Sequence, residues 1–341
     1  MGLTTTGPLE AFAADVGPPD AGPVTCVGGR TQWAIGGVAH QAREVRAPAG
    51  VVTLDPAEMT VRVRAATEVA DVDGALEEHR QVIALPAWPG ATVGGVLAVG
   101  HSGIRRLGYG PVRDTLLEAR VVSADGRLVK AGGPTVKNVS GYDLCRLLVG
   151  SLGTLGLIGE VLLRTRPRPE VTCWLAGVTD PFALRHRLHR PVAVLWDGET
   201  TWVCLEGHAT DVASQVRVAG LPEVPGPPPV PPFRWSMPPK AIRGLERRAD
   251  GRDPSTSTGS IAGGLRDFRP PPPDPFTGRV PGPFLAEVGV GVVHVDRPVP
   301  AATPSTEVAE LGRRVKTAFD PTGRLNPGRQ PGAASSMGGA T

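Results

Sequence analysis

Four short segments with little side-chain bulk constrain the fold of this 341-residue chain more than any other feature. They read VGGRTQWAIGG from Val27, PGATVGGVLAVGHSG from Pro89, KNVSGYD from Lys137 and GSLGTLGLIGE from Gly150. Glycine lets the main chain approach a ligand or another segment without a Cβ in the way. Several main-chain N–H groups in such loops can converge on the oxygens of a pyrophosphate, and no lysine is then required.

Each segment taken alone is also explained by turns and tight packing, because those features use the same residues. Two nucleotide-binding patterns do not fit. No G-x-G-x-x-G follows the first predicted strand with an acidic residue about 20 positions later, which argues against a Rossmann fingerprint. No loop ends in G-K-[ST], which argues against a P-loop. Only the four segments together favour a nucleotide-binding site, and that site would belong neither to a Rossmann fold nor to a P-loop protein.

The composition argues against several classes of function. With 40% hydrophobic residues the chain can bury a core, and its length is enough for two domains. A formal charge of +3 and scattered basic residues argue against a nucleic-acid partner. Cys26, Cys145, Cys173 and Cys204 lie far apart without a C-x-x-C, so we expect reduced thiols and no zinc or iron–sulfur site built from cysteine alone.

The sequence indicates neither secretion nor membrane insertion. The N-terminus lacks a basic start followed by an apolar stretch. The longest mainly apolar stretch, Leu147 to Gly159, is interrupted by glycines and is shorter than the roughly 20 residues that cross a bilayer. We therefore predict a cytoplasmic protein with no membrane span.

Short β-rich segments alternate with glycine turns from Val24 to Pro167, which predicts an α+β domain. Within it, a helix is predicted in 67–80 that begins with an N-cap and buries Val69, Val72 and Leu76. The predicted regions are a first domain at 1–168, a smaller domain with Pro-rich loops at 169–304, a C-terminal segment at 305–330 that begins with a helix, and a disordered tail at 331–341.

The order of three segments resembles the PCMH-type FAD-binding family, which is related to vanillyl-alcohol oxidase. These segments are PGATVGGVLAVGHSGIRRLGYGPVRD, VKNVSGYDLCRLLVGSLGTLGLIGEVLLRTRPRP and VKTAFDPTGRLNPGR. More narrowly, SGIRRLGYGPVRD, KNVSGYD, FRWSMPP and EVGVGVVHV are similar to the FAD-binding subunits of glycolate oxidases. The resemblance implies an FAD-binding domain of two α+β subdomains in residues 1–168, followed by a smaller, shortened cap domain.

The resemblance also implies which residues hold FAD. The pyrophosphate would lie on the first glycine loop, where the family usually has a G-x-G-T-like sequence, so that Arg30 is a departure that either contacts phosphate or lies at the surface. Thr92 is explained equally well as a helix N-cap. No histidine lies between Val24 and Ala39, so noncovalent FAD is expected. The implied FAD-binding residues are Gly28, Gly29, Arg30, Thr31, Gln32, Pro89, Gly90, Ala91, Thr92, Gly94, Gly95, Ser102, Gly103, Gly153, Thr154, Gly156 and Ile158.

Residues for catalysis are harder to assign. His101 neighbours the second flavin loop and could act as a base, although a structural role explains it as well. Arg324 and Asn326 lie where the family's C-terminal segment returns to the flavin domain, but an Asn-Pro-Gly turn also explains them. His186 and His189 have helical spacing without further ligands nearby, so no metal site is expected.

The resemblance implies the FAD subunit of a complex that oxidises glycolate, or a related 2-hydroxy acid, to the 2-oxo acid. Its implied partners are a larger FAD-binding glycolate oxidase subunit and an iron–sulfur subunit, which would also account for peripheral attachment to the inner face of the membrane. Larger relatives carry a histidine-rich segment where this chain has only GVGVVHV, ending at His294 and Val295. Two alternatives stay open: a self-sufficient oxidase or dehydrogenase of D-lactate or an alditol, and a non-catalytic FAD-binding scaffold.

Overall fold

The computed structural model of the protein describes residues 7–133, 143–247, 279–280, 282–298, 305–331 and 335–336. All but the last residue of KNVSGYD, most of the second Pro-rich stretch and most of the predicted tail lie outside these residues. The described chain forms two compact units. The first contains the residues up to Pro169 and those from 305 to 331, and the second contains the residues from Glu170 to 298 and 335–336.

The first unit mixes helices and strands, which confirms the predicted α+β class. Short 3-10 turns lie at 19–21, 77–79 and 112–114. Its helices and strands, in chain order, are α1 Pro8–Val16, β1 Val24–Cys26, β2 Arg43–Val45, β3 Val51–Asp55, β4 Thr60–Arg64, α2 Val69–Leu76, β5 Gln81–Ile83, α3 Val93–Val99, α4 Arg106–Tyr109, β6 Leu116–Val122, β7 Leu128–Gly132, α5 Leu144–Leu148 and β8 Leu157–Pro167, with a last helix at Thr306–Phe319.

Two sheets organise this unit. Strands β1 and β2 form a small parallel pair. The larger sheet is antiparallel, in the order β3-β4-β8-β6-β7, and β5 also pairs with β8. Strand β4 shows why these residues form strands: Val61 and Val63 alternate with arginines and are fully buried on the core face. Each such buried valine contributes about 1.5–3 kcal/mol relative to exposure.

Helix α2 matches the predicted apolar face, because Val69, Val72 and Leu76 are all fully buried. The predicted N-cap at the start of 67–80 is wrong. Glu68 occupies the N-cap position without a side-chain hydrogen bond. The hydroxyl of Thr67 instead donates to the carbonyl of Arg64 (2.7 Å) and accepts the N–H of Gly50 (2.8 Å), so it closes a turn before the helix.

The second unit is built on one antiparallel sheet. Its elements are β9 Val171–Val178, α6 Pro181–Arg187, β10 Ala193–Trp196, β11 Thr200–Gly207, α7 Ala209–Ala219, β12 Glu223–Val224, β13 Phe233–Ser236, β14 Glu246–Arg247, β15 Arg279–Val280, β16 Phe284–Glu287, β17 Val292–Val295 and β18 Ser335–Ser336. The strand order of the sheet is β12-β9-β11-β10-β16-β17-β13-β18. A separate parallel pair joins β14 to β15, and a 3-10 turn lies at Pro239–Gly244.

The helix at Thr306–Phe319, α8, is the longest described helix, with 14 residues. The predicted C-terminal segment at 305–330 does begin with this helix, and the Ser305 hydroxyl caps it by accepting the N–H of Val308. Across the described ranges, no helix combines the length and the apolar character needed to cross a bilayer.

Candidate functional site: a glycine-lined crevice

The first unit contains an open crevice, with an empty volume of about 870 Å³ that includes space open to solvent. Three predicted loops contribute to its wall: the first loop (residues 28–32), the second loop (89–95) and the third loop (150–156). The predicted site residues that line it are Gly28, Gly29, Arg30, Thr31, Gln32, Thr92, Gly94, Gly95, Gly153, Ile158 and Asn326.

The first loop follows β1, and the N–H of Val27 is still bonded to the carbonyl of Val45 (2.9 Å). In the part of the chain that the structure describes, the amides of Gly28, Gly29, Arg30 and Thr31 have no protein acceptor. Four consecutive donors on a wall that lacks Cβ atoms at two positions can serve the oxygens of an anionic ligand.

The first and second loops are in direct contact. A Cβ added to Gly29 would lie 1.7 Å from the carbonyl oxygen of Gly90, and one added to Gly28 would lie 2.4 Å from the hydroxyl oxygen of Thr92. Side chains at these two positions would force the loops apart. The structure therefore explains the two glycines by the closeness of the loops as well as by access to the crevice.

The second loop enters helix α3. Thr92 is the N-cap, as the alternative interpretation of this residue expected, and its hydroxyl accepts the N–H of Gly95 (3.3 Å). The N–H of Gly94 donates to the carbonyl of Ala65 (2.8 Å), and a Cβ on Gly94 would lie 2.7 Å from the Cβ of Ala65. This glycine allows the helix to pack against the chain that follows β4.

The third loop is held by residues 324–330, the last part of the C-terminal segment. The side-chain amide of Asn326 donates to the carbonyl of Leu152 (2.7 Å), and its oxygen accepts the hydroxyl of Thr25 and the N–H of Cys26 (3.1 Å). A Cβ on Gly153 would lie 2.3 Å from the amide nitrogen of Asn326. Asn326 thus joins the third loop to the strand that leads into the first loop.

The wall is apolar with a cationic end. Among the described residues that line it, only Arg30 and Arg329 carry a charge, so the crevice favours an anionic ligand. Both guanidinium groups lie over the ring of Trp33, at 5.1 and 4.4 Å from its centroid. Arg30, half exposed, also forms an ion pair with Glu44 at 2.5 Å.

Two groups on the wall have shifted pKa values. Burial lowers the pKa of the Arg329 guanidinium. Burial also raises the pKa of the Cys26 thiol to about 11, against smaller opposing effects of a main-chain hydrogen bond at Ala47 and the charge of Arg46. The Cys26 side chain is therefore a neutral thiol at physiological pH.

Several predicted site residues lie outside the crevice lining. Ser102 accepts the N–H of Val112 (3.1 Å), and the hydroxyl of Thr154 donates to the carbonyl of Ser151 (2.7 Å). His101 follows the end of α3 and is half-buried. The predicted residues that do not line the crevice are Pro89, Gly90, Ala91, His101, Ser102, Gly103, Thr154, Gly156 and Arg324.

Arg324 is buried, and its guanidinium donates to main-chain carbonyls of Val16, Gly17, Gly22 and Ala124 at 2.8–3.0 Å. These contacts favour a structural role over contact with a substrate. The side chain of Asn326 is similarly engaged on both its oxygen and its nitrogen, although the residue does line the crevice.

The sequence did not single out most of the apolar wall or its second arginine. Arg329 directly follows the Asn-Pro-Gly turn, and this turn was the only local sequence pattern on which a prediction for residues 324–330 could rest. The lining residues not predicted as site residues are Thr25, Cys26, Val27, Trp33, Ile35, Ala47, Ala65, Ala66, Ala98, Val99, Leu152, Leu157 and Arg329.

The second unit contains a buried polar pair. The Nε2 atom of His294 lies 2.8 Å from Oε1 of Glu287, on neighbouring strands, and both side chains are almost fully buried. His186 lies on α6, whereas His189 lies beyond its end. Within the described ranges, no group of three or more His, Cys, Asp or Glu side chains is placed to hold a metal ion.

These features fit an FAD group. Four amides without an acceptor among the described residues, together with two guanidinium groups, suit a pyrophosphate, and the small and aliphatic side chains of the wall suit flat apolar rings. The direct contact between the first and second loops leaves no space for a Cβ at either glycine. The residues that would hold the group are therefore present in one crevice.

Comparisons with known proteins agree with this geometry. Residues 20–132 match the family described as FAD binding domain. Glycolate oxidase subunit GlcE of Escherichia coli is 33% identical over 204 residues, which are 55% of this chain and 57% of that protein. D-lactate dehydrogenase of Archaeoglobus fulgidus is 46% identical over 92 residues, 26% of this chain and 21% of that protein.

A shorter match is to glycolate oxidase subunit GlcD of Bacillus subtilis, 44% identical over 80 residues, 24% of this chain and 17% of that protein. The chain thus spans less than two thirds of the length of each of these relatives. Among solved structures, alkyldihydroxyacetonephosphate synthase has a TM-score of 0.50 at 17% identity, covering 64% of this chain and 52% of that one, which is a likeness of fold. The match over residues 20–132 indicates an FAD-binding domain in this part of the chain, and FAD as its cofactor.

Proposed function

We propose that the protein is the FAD-binding subunit of a glycolate oxidase complex that oxidises glycolate to glyoxylate. The observation that carries this proposal is the crevice of the first unit, whose lining combines first-loop residues with no amide acceptor among the described residues, an apolar wall and a cationic end. The similarity to subunit GlcE supports the choice of glycolate among CH–OH substrates.

In this proposal the FAD is noncovalent. A bound FAD supplies a hydride acceptor for the carbon of the substrate alcohol. The amides of Gly28 to Thr31 bind the pyrophosphate, Arg30 and Arg329 offset its charge, and Ala65, Leu157 and Ile158 contribute to a wall that excludes water. His101 remains a candidate base for the hydroxyl proton.

The proposed partners are a larger FAD-binding subunit and an iron–sulfur subunit that receives the electrons. A separate electron acceptor is supported by the cysteines, because Cys26, Cys145, Cys173 and Cys204 are all free thiols and none lies in a cluster within the described residues. The similarity to GlcD supports a related larger flavoprotein in the same assembly. We propose a cytoplasmic location, with contact to the inner face of the membrane through these partners.

A second candidate is a self-sufficient dehydrogenase of D-lactate. The observation that favours it is the 46% identity to D-lactate dehydrogenase, which exceeds the identity to GlcE although it covers fewer residues. Both candidates share the FAD site and differ in substrate and in the need for partners.

The test compares the chain purified alone with the chain co-expressed with candidate partner subunits. Each sample is examined for flavin absorbance and is then mixed without oxygen with glycolate or D-lactate. We expect bound flavin in both samples and bleaching by glycolate in the complex. Bleaching of the isolated chain by D-lactate would instead establish the second candidate.

Two outcomes would contradict the proposal. If the flavin stays oxidised with every substrate even in the complex, the subunit is a non-catalytic scaffold. If the chain is colourless under all conditions, the FAD assignment itself fails. The variant Gly74→Ala serves as a control, because a Cβ at this helix position meets no atom within 4 Å and the flavin spectrum should not change.

A further inference from the structure

The side chain of Arg329 links the C-terminal segment to the chain just after the first loop. One terminal nitrogen of Arg329, Nη1, donates to the carbonyls of Trp33 (2.5 Å), Ile35 (2.8 Å) and Gly37 (2.5 Å). These carbonyls belong to a turn, residues 33–37, with almost no regular structure of its own. A guanidinium that gathers three carbonyls replaces the hydrogen bonds that a helix or sheet would otherwise supply.

Main-chain bonds hold the same two segments together. The N–H of Gln330 donates to the carbonyl of Gly36 (2.9 Å), and the N–H of His40 donates to the carbonyl of Pro327 (2.9 Å). The guanidinium of Arg329 also lies over the ring of Trp33, 4.4 Å from its centroid. The turn is thus fixed on its carbonyl side by residues almost 300 positions away in sequence.

The turn at residues 33–37 and Arg329 both contribute to the wall of the crevice. Trp33 and Ile35 line it together with the first loop, and Arg329 lines it as well. Because the turn directly continues the first loop, a change in its position moves the amides of residues 28–31. Those amides carry no bonds to the described protein that could hold them in place.

We propose that Arg329 is a positioning residue for the FAD-binding site: it fixes the turn at residues 33–37 and thereby holds the first-loop amides in the geometry that binds the pyrophosphate. This inference rests on the proposed function. It assigns to the C-terminal segment a role in FAD affinity through the loop, with Arg329 as the decisive side chain.

The experiment uses Arg329→Met, which keeps an apolar stem and removes the donors, and Arg329→Lys, which keeps three donors and the charge. The matched control is Arg43→Met. Arg43 also donates to main-chain carbonyls in the same unit, those of Asp15 (2.6 Å) and Val16 (3.2 Å), but neither of these residues lines the crevice. Two readouts are measured: the Kd for FAD of the apo protein, and amide hydrogen exchange of residues 30–40 without FAD.

We expect Arg329→Met to weaken FAD binding by about tenfold or more and to speed exchange in residues 30–40. Arg329→Lys should recover most of the affinity, and Arg43→Met should leave both readouts close to wild type. A purely structural role would lower stability in both methionine variants without a selective change in Kd.

The inference is overturned if exchange of residues 30–40 in Arg329→Met matches wild type, or if exchange rises while the Kd stays within twofold. If Arg329→Met does not fold, Arg329→Lys against Arg43→Met decides the same question. If wild-type protein itself does not bind FAD, the proposed function fails, whereas the exchange measurement still decides whether Arg329 orders the loop.

Discussion

The first loop and the third loop are both glycine-rich walls of one crevice, yet their main-chain amides are used in opposite ways. In the first loop the amides from Gly28 to Thr31 have no acceptor among the described residues. In the third loop the amide of Gly150 donates to Leu97, that of Leu152 donates to Ala98, and that of Gly153 donates to the Ser151 hydroxyl. One loop keeps its donors available and the other uses them within the protein.

The second loop resembles the third in this respect, since the amides of Ala91, Val93 and Gly94 donate to Trp88, Thr67 and Ala65. Its Gly94 serves close packing against Ala65. The comparison shows that glycine has two physical functions here, which are to expose donors and to let backbones touch. Only the first function contributes directly to binding an anion.

The largest expected effect comes from Gly29→Ala, because this change displaces the first loop, whose amides are available to a ligand, from its place against the second loop. The added Cβ would lie 1.7 Å from the carbonyl oxygen and 2.8 Å from the carbonyl carbon of Gly90. Both are main-chain atoms that no side-chain rotation can move, so the first loop has to move away from the second loop. We expect FAD affinity to fall by at least a hundredfold, about 2.7 kcal/mol, in equilibrium dialysis.

Gly133→Ala is the control for this change, since a Cβ there meets no atom of the described residues within 4 Å. It should bind FAD with the wild-type Kd. Equal affinities for Gly29→Ala and Gly133→Ala would mean that the contact between the loops is irrelevant to binding.

A smaller effect is expected for Gly94→Ala, which tests a glycine that serves packing. The new Cβ would lie 2.7 Å from the Cβ and 3.0 Å from the carbonyl oxygen of Ala65, so helix α3 has to move slightly away from the chain that follows β4. We expect a loss of about 1–3 kcal/mol in the free energy of unfolding, measured by urea titration. The loss of FAD affinity should be smaller than for Gly29→Ala.

Gly74→Ala supplies the matched comparison, because Gly74 is also inside a helix of the first unit but has open space around it. Alanine favours helix over glycine by about 0.5–1 kcal/mol, so this variant should be as stable as wild type or more stable. A destabilised Gly74→Ala with an unaffected Gly94→Ala would reverse the interpretation of the second loop.

Sequence reasoning succeeded where the signal is local. The apolar spacing of Val69, Val72 and Leu76 predicted the buried face of α2, and the glycine segments predicted loops that the structure brings to one crevice. The fold class and the FAD cofactor were also predicted, through the resemblance of ordered segments to a known family. These features could be predicted because the spacing and the type of the residues determine them within one helix or one loop.

The remainder depends on contacts between distant segments. Arg329 meets Trp33 across 296 positions, and Asn326 meets Leu152 across 174, so no spacing rule connects them. The sequence likewise cannot distinguish donors that stay available from donors that are used, because the acceptors lie on other elements. Arg324 illustrates the result: the predicted substrate residue donates to four carbonyls of the protein.

Arg30 shows a further limit of local reasoning. It has a φ of +57°, in the left-handed region that favours glycine, at a position where the resembling family usually carries a glycine-rich pattern. The sequence marked Arg30 as a departure but could not show that its guanidinium pairs with Glu44 at 2.5 Å and covers Trp33.

The smallest expected effect concerns Cys26, which lines the crevice beside the first loop, so we expect bound FAD to change its reactivity. A thiol pKa of about 11, against the ordinary 9.0, leaves about a hundredfold less thiolate near pH 8, so alkylation should be slow and should speed up as pH rises toward 11.

Because folding raises the pKa of the Cys26 thiol, the folded state disfavours the thiolate, and the free energy of unfolding should decline between pH 9 and 11. We expect that decline to be below about 1.4 kcal/mol, since the side chain is only half-buried.

Cys145 is the internal control for the labelling of Cys26, because its pKa is also raised to about 11 by burial but it does not line the crevice. Peptide mass spectrometry of iodoacetamide-treated protein should show that FAD slows the labelling of Cys26 and leaves that of Cys145 unchanged, whereas equal protection of both thiols would indicate general stiffening of the unit and not occupation of the space next to the first loop.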